Sequence, residues 1–220
     1  RRSSDLLRKN RDYLRDLTYH RINQMRFEAR FKPYLTLFRN LVRVSRIYGK
    51  IGLFKRREII EDISRQPQTY MDILLKSYIL GKKFTGFTQE KEYVGMMLPN
   101  AAAAVVTFFG LSAYNRVPVM LNFSQGESTV LSMCRTVQLK TIITSRAFIL
   151  KAKLDSLVET LTTAGLQIVY LEDIAKTITL KEKIAGLIAY KLKKLPTKQD
   201  PNDTAVVLFT SGSEGTPKAV

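Results

Sequence analysis

The run Thr210-Ser211-Gly212-Ser213-Glu214-Gly215-Thr216-Pro217-Lys218 sits near the end of the 220-residue chain and holds its densest set of chemical groups. Glycine removes the Cβ that would keep an anion from the backbone, and it permits left-handed φ. Successive backbone N–H groups can then form an anion-binding nest. Ser211, Ser213 and Thr216 add hydroxyl donors, and Lys218 adds a compact positive charge. Pro217 stiffens the exit. These types at this spacing suit a polyphosphate. The bland alternative is a surface turn, since Gly, Ser, Thr and Pro all favour turns. A buried strand directly before the run favours the polyphosphate. The run is not a Walker loop, because Pro217 stands five positions after Gly212, and it lacks the G-x-G opening of a dinucleotide fingerprint.

A loop of this kind must be delivered by a scaffold. Thr204–Phe209 reads as the strand that does so. Upstream, apolar runs at Tyr93–Leu98, Val117–Leu121, Thr141–Thr144 and Gln167–Leu171 read as strands. Helical patterns at Ala101–Tyr114, Ser128–Gln138, Lys151–Ala164 and Ile184–Leu195 separate them, with Asn100 the expected N-cap of the first. The alternation predicts an α/β fold with a mostly parallel sheet flanked by helices. Ala101–Tyr114 is apolar nearly all round, but fourteen residues span only about 21 Å, too short for a ~30 Å hydrocarbon core. It is expected to be a buried helix. Before this region, Glu58–Ile63 reads as a short strand and Pro67–Phe84 as a helix.

Composition narrows the class. Apolar residues make up 45% of the chain and charged residues 25%, which is ordinary for a folded domain. One cysteine, Cys134, and one histidine, His20, exclude an internal disulfide and Cys- or His-rich metal sites. The net charge of +17 is uneven: residues 1–57 hold 17 Lys/Arg against 4 Asp/Glu. That segment is expected to be a basic helical linker, and 58–220 the α/β domain. Tyr34, Leu37, Phe38, Leu41, Val44 and Tyr48 recur at helical spacing, with Arg39, Arg43, Arg46 and Lys50 along one stripe. Such a helix either lies on an anionic membrane surface or is an ordinary amphipathic helix with a basic solvated face. Nucleic acid is not expected, because no reading motif is present. Lys191, Lys193 and Lys194 close a helix, where cations offset its dipole and need no further role.

The Thr210–Lys218 run resembles the phosphate-binding loop of the acyl-adenylate-forming enzymes. Val94–Asn100 resembles that family's first strand-turn-helix, and Val117–Asn122 the strand after it. Thr144-Ser145-Arg146, Tyr170-Leu171-Glu172-Asp173 and Glu214 resemble a narrower bacterial branch, the bifunctional acyl-[acyl-carrier-protein] synthetase/2-acylglycerophosphoethanolamine acyltransferases. Ile59–Ile63 and the helix after Pro67 also fit that branch.

The resemblance implies a two-step ligase. A fatty-acid carboxylate attacks the α-phosphate of ATP, pyrophosphate leaves, and the thiol of acyl carrier protein takes the acyl group. A separate acyltransferase half would pass it to a lysophospholipid, at the cytoplasmic face of a bacterial inner membrane. Thr210, Ser211, Gly212, Ser213, Glu214, Gly215, Thr216 and Lys218 are then the ATP phosphate site, with Mg²⁺ alongside and no protein metal site. No catalytic residue is assigned. The basic N-terminal segment would meet anionic lipid or steer the acidic carrier protein. Two other readings are an acyl-CoA synthetase or another fatty-acyl ligase, and a non-catalytic basic membrane-binding module. The sequence departs from the family at Ala219, where glycine is usual and restricted loop motion is expected, and at Glu214. His20 is followed five positions later by Met25, not by the aspartate of the acyltransferase half. The aspartate and lysine motifs that the adenylation half needs would lie beyond Val220. The piece is therefore expected to catalyse neither reaction alone.

Overall fold

The computed structural model describes residues 2–30, 34–51, 55–62, 65–193, 195–211 and 217–220. The chain divides into two compact units, Arg1–Leu35 and Thr36–Val220. The first is built on one long helix, α1 (Arg2–Arg30), which carries His20. Among the described residues no helix is long and apolar enough to cross a membrane.

The second unit opens with α2 (Leu37–Tyr48), whose N-cap Thr36 accepts from the Arg39 N–H. The basic segment read as 1–57 thus straddles the two units, because Phe38 and Val42 of α2 are buried. Two small antiparallel ribbons follow: β1 (Lys50–Ile51) with β2 (Lys55–Arg56), then β3 (Glu58–Ile60) with β4 (Gln68–Thr69). Helix α3 (Tyr70–Phe84) starts on a reciprocal capping box between Thr69 and Asp72.

The scaffold is a parallel four-stranded sheet. Its strands are β5 (Tyr93–Met96), β6 (Val117–Met120), β7 (Thr141–Thr144) and β8 (Gln167–Tyr170), in the order β6-β5-β7-β8. Between them run α4 (Ala102–Ala113), a short 3₁₀ turn at Phe123–Gln125, α5 (Glu127–Thr136), α6 (Arg146–Ala152) and α7 (Asp155–Thr163). After β8 come α8 (Leu171–Lys176) and α9 (Leu180–Leu192). A final antiparallel hairpin joins β9 (Phe209–Ser211) to β10 (Pro217–Ala219).

Strand alternation sorts the core into two layers. Val94, Met96 and Ile143 face α3, α4 and α8, packing with Phe84, Leu111 and Ile174. Val119 and Ile142 face the other way, against Val130, Met133, Ile149, Leu157 and Leu161 of α5, α6 and α7. Helices α3 and α4 cross closely at two glycines. A Cβ on Gly81 would stand 2.4 Å from the Gly110 carbonyl oxygen.

Three local expectations are corrected. Asn100 does not cap α4: Ala101 holds the N-cap position without a side-chain bond. Asp62 instead accepts from the Ala102 N–H at 2.9 Å, so the cap comes from 40 positions away in the chain. The helix read as Lys151–Ala164 is two helices, because Lys153 turns left-handed at φ 53° and its N–H bonds back to close α6. The strand read as Thr204–Phe209 makes a single bridge before the hairpin, at Val207.

Candidate functional site

The phosphate-type run is carried by the hairpin. Thr210 and Ser211 lie on β9 and Lys218 on β10, while Gly212, Ser213, Glu214, Gly215 and Thr216 lie outside the described residues. In the ladder Thr210 stands opposite Lys218, Phe209 opposite Ala219 and Ser211 opposite Pro217. Leu208 and Val220 exchange two backbone bonds of 3.0 and 2.9 Å at the base. Directly opposed residues project to the same side of an antiparallel pair, so Thr210 and Lys218 share one face. Both are exposed. Phe209 is on the other face and packs against the core layer of Val119 and Ile142. The hairpin therefore turns one hydroxyl and one ammonium outward from a face anchored in the core.

Its position follows from one bridge. The Val207 N–H donates to the Pro118 carbonyl at 3.0 Å, and the Met120 N–H donates to the Val207 carbonyl at 3.0 Å. Val207 thus runs parallel to Val119 on the outer side of β6. Val207, Ala219 and Val220 line one cleft with Lys91, Tyr93 and Lys140, so the base of the hairpin stands beside the starts of β5 and β7. The Asp203 carboxylate accepts from Lys91 Nζ at 2.8 Å, and Gln199 donates to the α4 carbonyl of Ala113 at 3.0 Å, so the approach to Val207 is pinned as well.

Ala219 is in extended backbone opposite Phe209 and is not among the residues with positive φ. An L side chain therefore costs nothing at this ladder position, and glycine is not required there.

A second constellation gathers the motifs at the ends of β7 and β8. Ser145 Oγ donates to Glu172 Oε1 at 2.7 Å, and the N–H groups of Arg146 and Ala147 donate to the same carboxylate at 3.1 and 3.3 Å. Arg146 Nη2 donates to Asp173 at 2.5 Å, and its guanidinium lies 3.8 Å over the Tyr170 ring. Burial works against charge on Glu172, but the bonds from Ser145 and the two backbone groups outweigh it and hold its pKa below the usual range. These bonds start α6 and join it to α8. The run Thr144–Arg146 and the run Tyr170–Asp173 are brought together, then, as a structural joint.

Among the described residues no group of three His, Cys, Asp or Glu could hold a metal ion. The exposed hydroxyl and ammonium on one hairpin face are the right donors for phosphate oxygens.

A parallel four-stranded sheet flanked by helices, with a hydroxyl- and lysine-bearing hairpin beside it, defines an α/β domain. The AMP-binding enzyme family matches residues 59–220, and the chain belongs to that family. Among solved structures, VinN with 3-methylaspartate superimposes with a TM-score of 0.65 at 22% identity, covering 85% of this chain and 47% of that one. The N-terminal subdomain of Klebsiella oxytoca NpsA gives 0.63 at 13%, covering 86% and 42%. The anthranilate CoA ligase AuaEII with anthranoyl-AMP gives 0.62 at 16%, covering 86% and 34%. The chain spans less than half the length of these proteins, and at such identities they establish the fold.

Proposed function

We propose that this chain is the nucleotide-phosphate-holding portion of an ATP-dependent ligase that activates a fatty acid as its acyl-adenylate. The observation that carries this reading is the pairing of Thr210 with Lys218 on the outward face of the hairpin, inside the family match. The Lys218 ammonium and the Thr210 hydroxyl would meet the β- and γ-phosphates and stabilise the departing pyrophosphate. Mg²⁺ would arrive with the polyphosphate, bound chiefly through phosphate oxygens as this ion usually is. Its role when bound is to neutralise charge on the transferring groups.

The acyl acceptor is proposed to be acyl carrier protein, with onward transfer to a lysophospholipid by a further part of the whole protein. The support is the sequence resemblance of Thr144–Arg146 and Tyr170–Asp173. CoA is the competing acceptor, and the likeness to an anthranilate CoA ligase keeps it in play. The basic N-terminal segment would bring the protein to anionic lipid at the cytoplasmic face of the inner membrane.

In the full-length protein, Lys218→Ala is expected to lower ATP–pyrophosphate exchange about 100-fold, the usual cost of one lost transition-state donor. Exchange at the wild-type rate would remove Lys218 from the phosphate site. Thioesterification with carrier protein against CoA decides the acceptor, and exclusive use of CoA would refute the carrier-protein reading.

A further inference from the structure

Helix α9 is inside out by the standard of a soluble domain. Leu180, Ile184, Ile188 and Leu192 recur every fourth residue, and they are 72%, 51%, 52% and 68% exposed. They form a band along one side of the 13-residue helix, about 18 Å long at 1.5 Å per residue. Lys181 and Lys191 fall within the same arc and are exposed. The opposite side is the one that packs. Gly186 is buried, and a Cβ there would stand 2.5 Å from Ile79 Cγ1 of α3.

The charge on the helix has one sign outward. Its only acid, Glu182, is turned back: Lys83 of α3 reaches it at 2.7 Å, and the Thr179 N–H donates to it at 2.8 Å. At the end of the helix Lys193 lies with its ammonium 3.6 Å from the centre of the Tyr190 ring, near Arg46 of α2. Lys183 stands between the apolar band and a groove of about 560 Å³ that Leu75, Ile79, Val106, Leu171 and Ile178 help to line. The nonpolar surface therefore continues beyond the helix.

We infer that α9 is an interfacial anchor that lies on an anionic lipid surface, with its four aliphatic side chains in the acyl boundary and its lysines at the headgroups. Lysine suits that arrangement because its stem crosses apolar surface while the ammonium reaches the polar layer. A protein partner fits less well. Protein interfaces are enriched in aromatic residues, Met and Arg and depleted in Lys, and the exposed band is Leu, Ile and Lys. A second copy fits poorly too, because a two-fold antiparallel pairing of α9 would bring Lys181 of one chain toward Lys191 of the other. The inference stands apart from the adenylation reading and from the first unit, since all its residues lie on the second unit.

These 220 residues hold no tryptophan, and Ile188→Trp in the full-length protein, read as the difference from wild-type emission, provides a reporter at the centre of the band. Vesicles of phosphatidylcholine with 30% phosphatidylglycerol, their acyl chains brominated, are expected to quench it at least twofold, and pure phosphatidylcholine vesicles far less. Lys181→Gln with Lys191→Gln is expected to weaken binding roughly 30-fold, about fivefold for each cation near the surface. Binding without quenching overturns the inference, as it places the contact elsewhere on the molecule. Blue-shifted indole emission from the Ile188→Trp variant before any lipid is added also overturns it, as other protein then covers α9. Loss of a solution dimer in Ile184→Ser with Ile188→Ser identifies that cover as a second copy. ATP–pyrophosphate exchange of the same variants in lipid-free buffer should match the wild type, which separates this result from failure of the adenylation reading.

Discussion

Helices α2 and α9 have nearly the same recipe and opposite fates. Each is twelve or thirteen residues of aliphatic and basic side chains packed near α3. In α2 the middle of the apolar stripe is spent inward, while Leu37 and Tyr48 stay exposed: Phe38 is fully buried, meets the Tyr78 ring edge-on at 5.4 Å, and joins Val42, Leu74 and Ala113 in one cluster. Arg39 and Arg43 of its basic stripe are only half exposed. In α9 Gly186, Ala189 and Tyr190 turn inward, and Leu180, Ile184, Ile188 and Leu192 face out. The contrast teaches that an amphipathic pattern announces two faces without saying which is spent on the core. Size decides it here. Large residues fill the space between α2 and α3, whereas Gly186 lets α9 approach so closely that a side chain at that position would meet Ile79.

The largest test of that contrast is Phe38→Ala, which should cost about 3–5 kcal/mol by chemical denaturation, because the deleted ring leaves a cavity among Leu74, Tyr78 and Ala113. Gly81→Ala comes next. Its new Cβ meets a backbone carbonyl that cannot rotate away, and a loss of about 1–3 kcal/mol is expected. Ile188→Ser should change stability in lipid-free buffer by no more than about 0.5 kcal/mol, as befits a surface site. A loss as large as that of Phe38→Ala would mean that α9 is a core helix, and the contrast would be gone.

The parallel sheet is legible in the sequence because its strands are continuous apolar runs between helical patterns, as doubly covered strands must be. What escapes such a reading is set by distant or weak signals. Asp62 caps α4 from 40 residues upstream, and no local pattern announces such a partner. The break at Lys153 has no glycine or proline to mark it. The start of α9 is written in the Thr179-x-x-Glu182 spacing, a capping-box signature, but periodicity alone places it at Ile184. For the phosphate site, residue types point to the ligand chemistry. That Thr210 and Lys218 share a face is a property of the hairpin register, which eight positions of separation do not specify.

The smallest effect sharpens the same contrast from the inner side of α9. Glu182 has its pKa lowered from 4.5 to about 2, first by the bond from Lys83 and then by the Thr179 backbone. A carboxylate depressed in the folded state binds fewer protons there than in the unfolded chain. Its contribution to stability is therefore present above the unfolded pKa near 4.5 and is lost as pH falls through about 2. Glu182→Gln keeps an acceptor for the capping box, since glutamine serves at that position, but it removes the charge that meets Lys83. The melting temperature of the wild type should exceed that of the variant by a small, constant margin from about pH 5 to about pH 8. The margin should close between pH 4.5 and about 2. Because the group is exposed, the margin should also shrink in high salt. A gap that persists unchanged down to about pH 2 would show that Lys83 does not hold α9 through charge, leaving Gly186 and Ile79 as the contact that fixes which face turns outward.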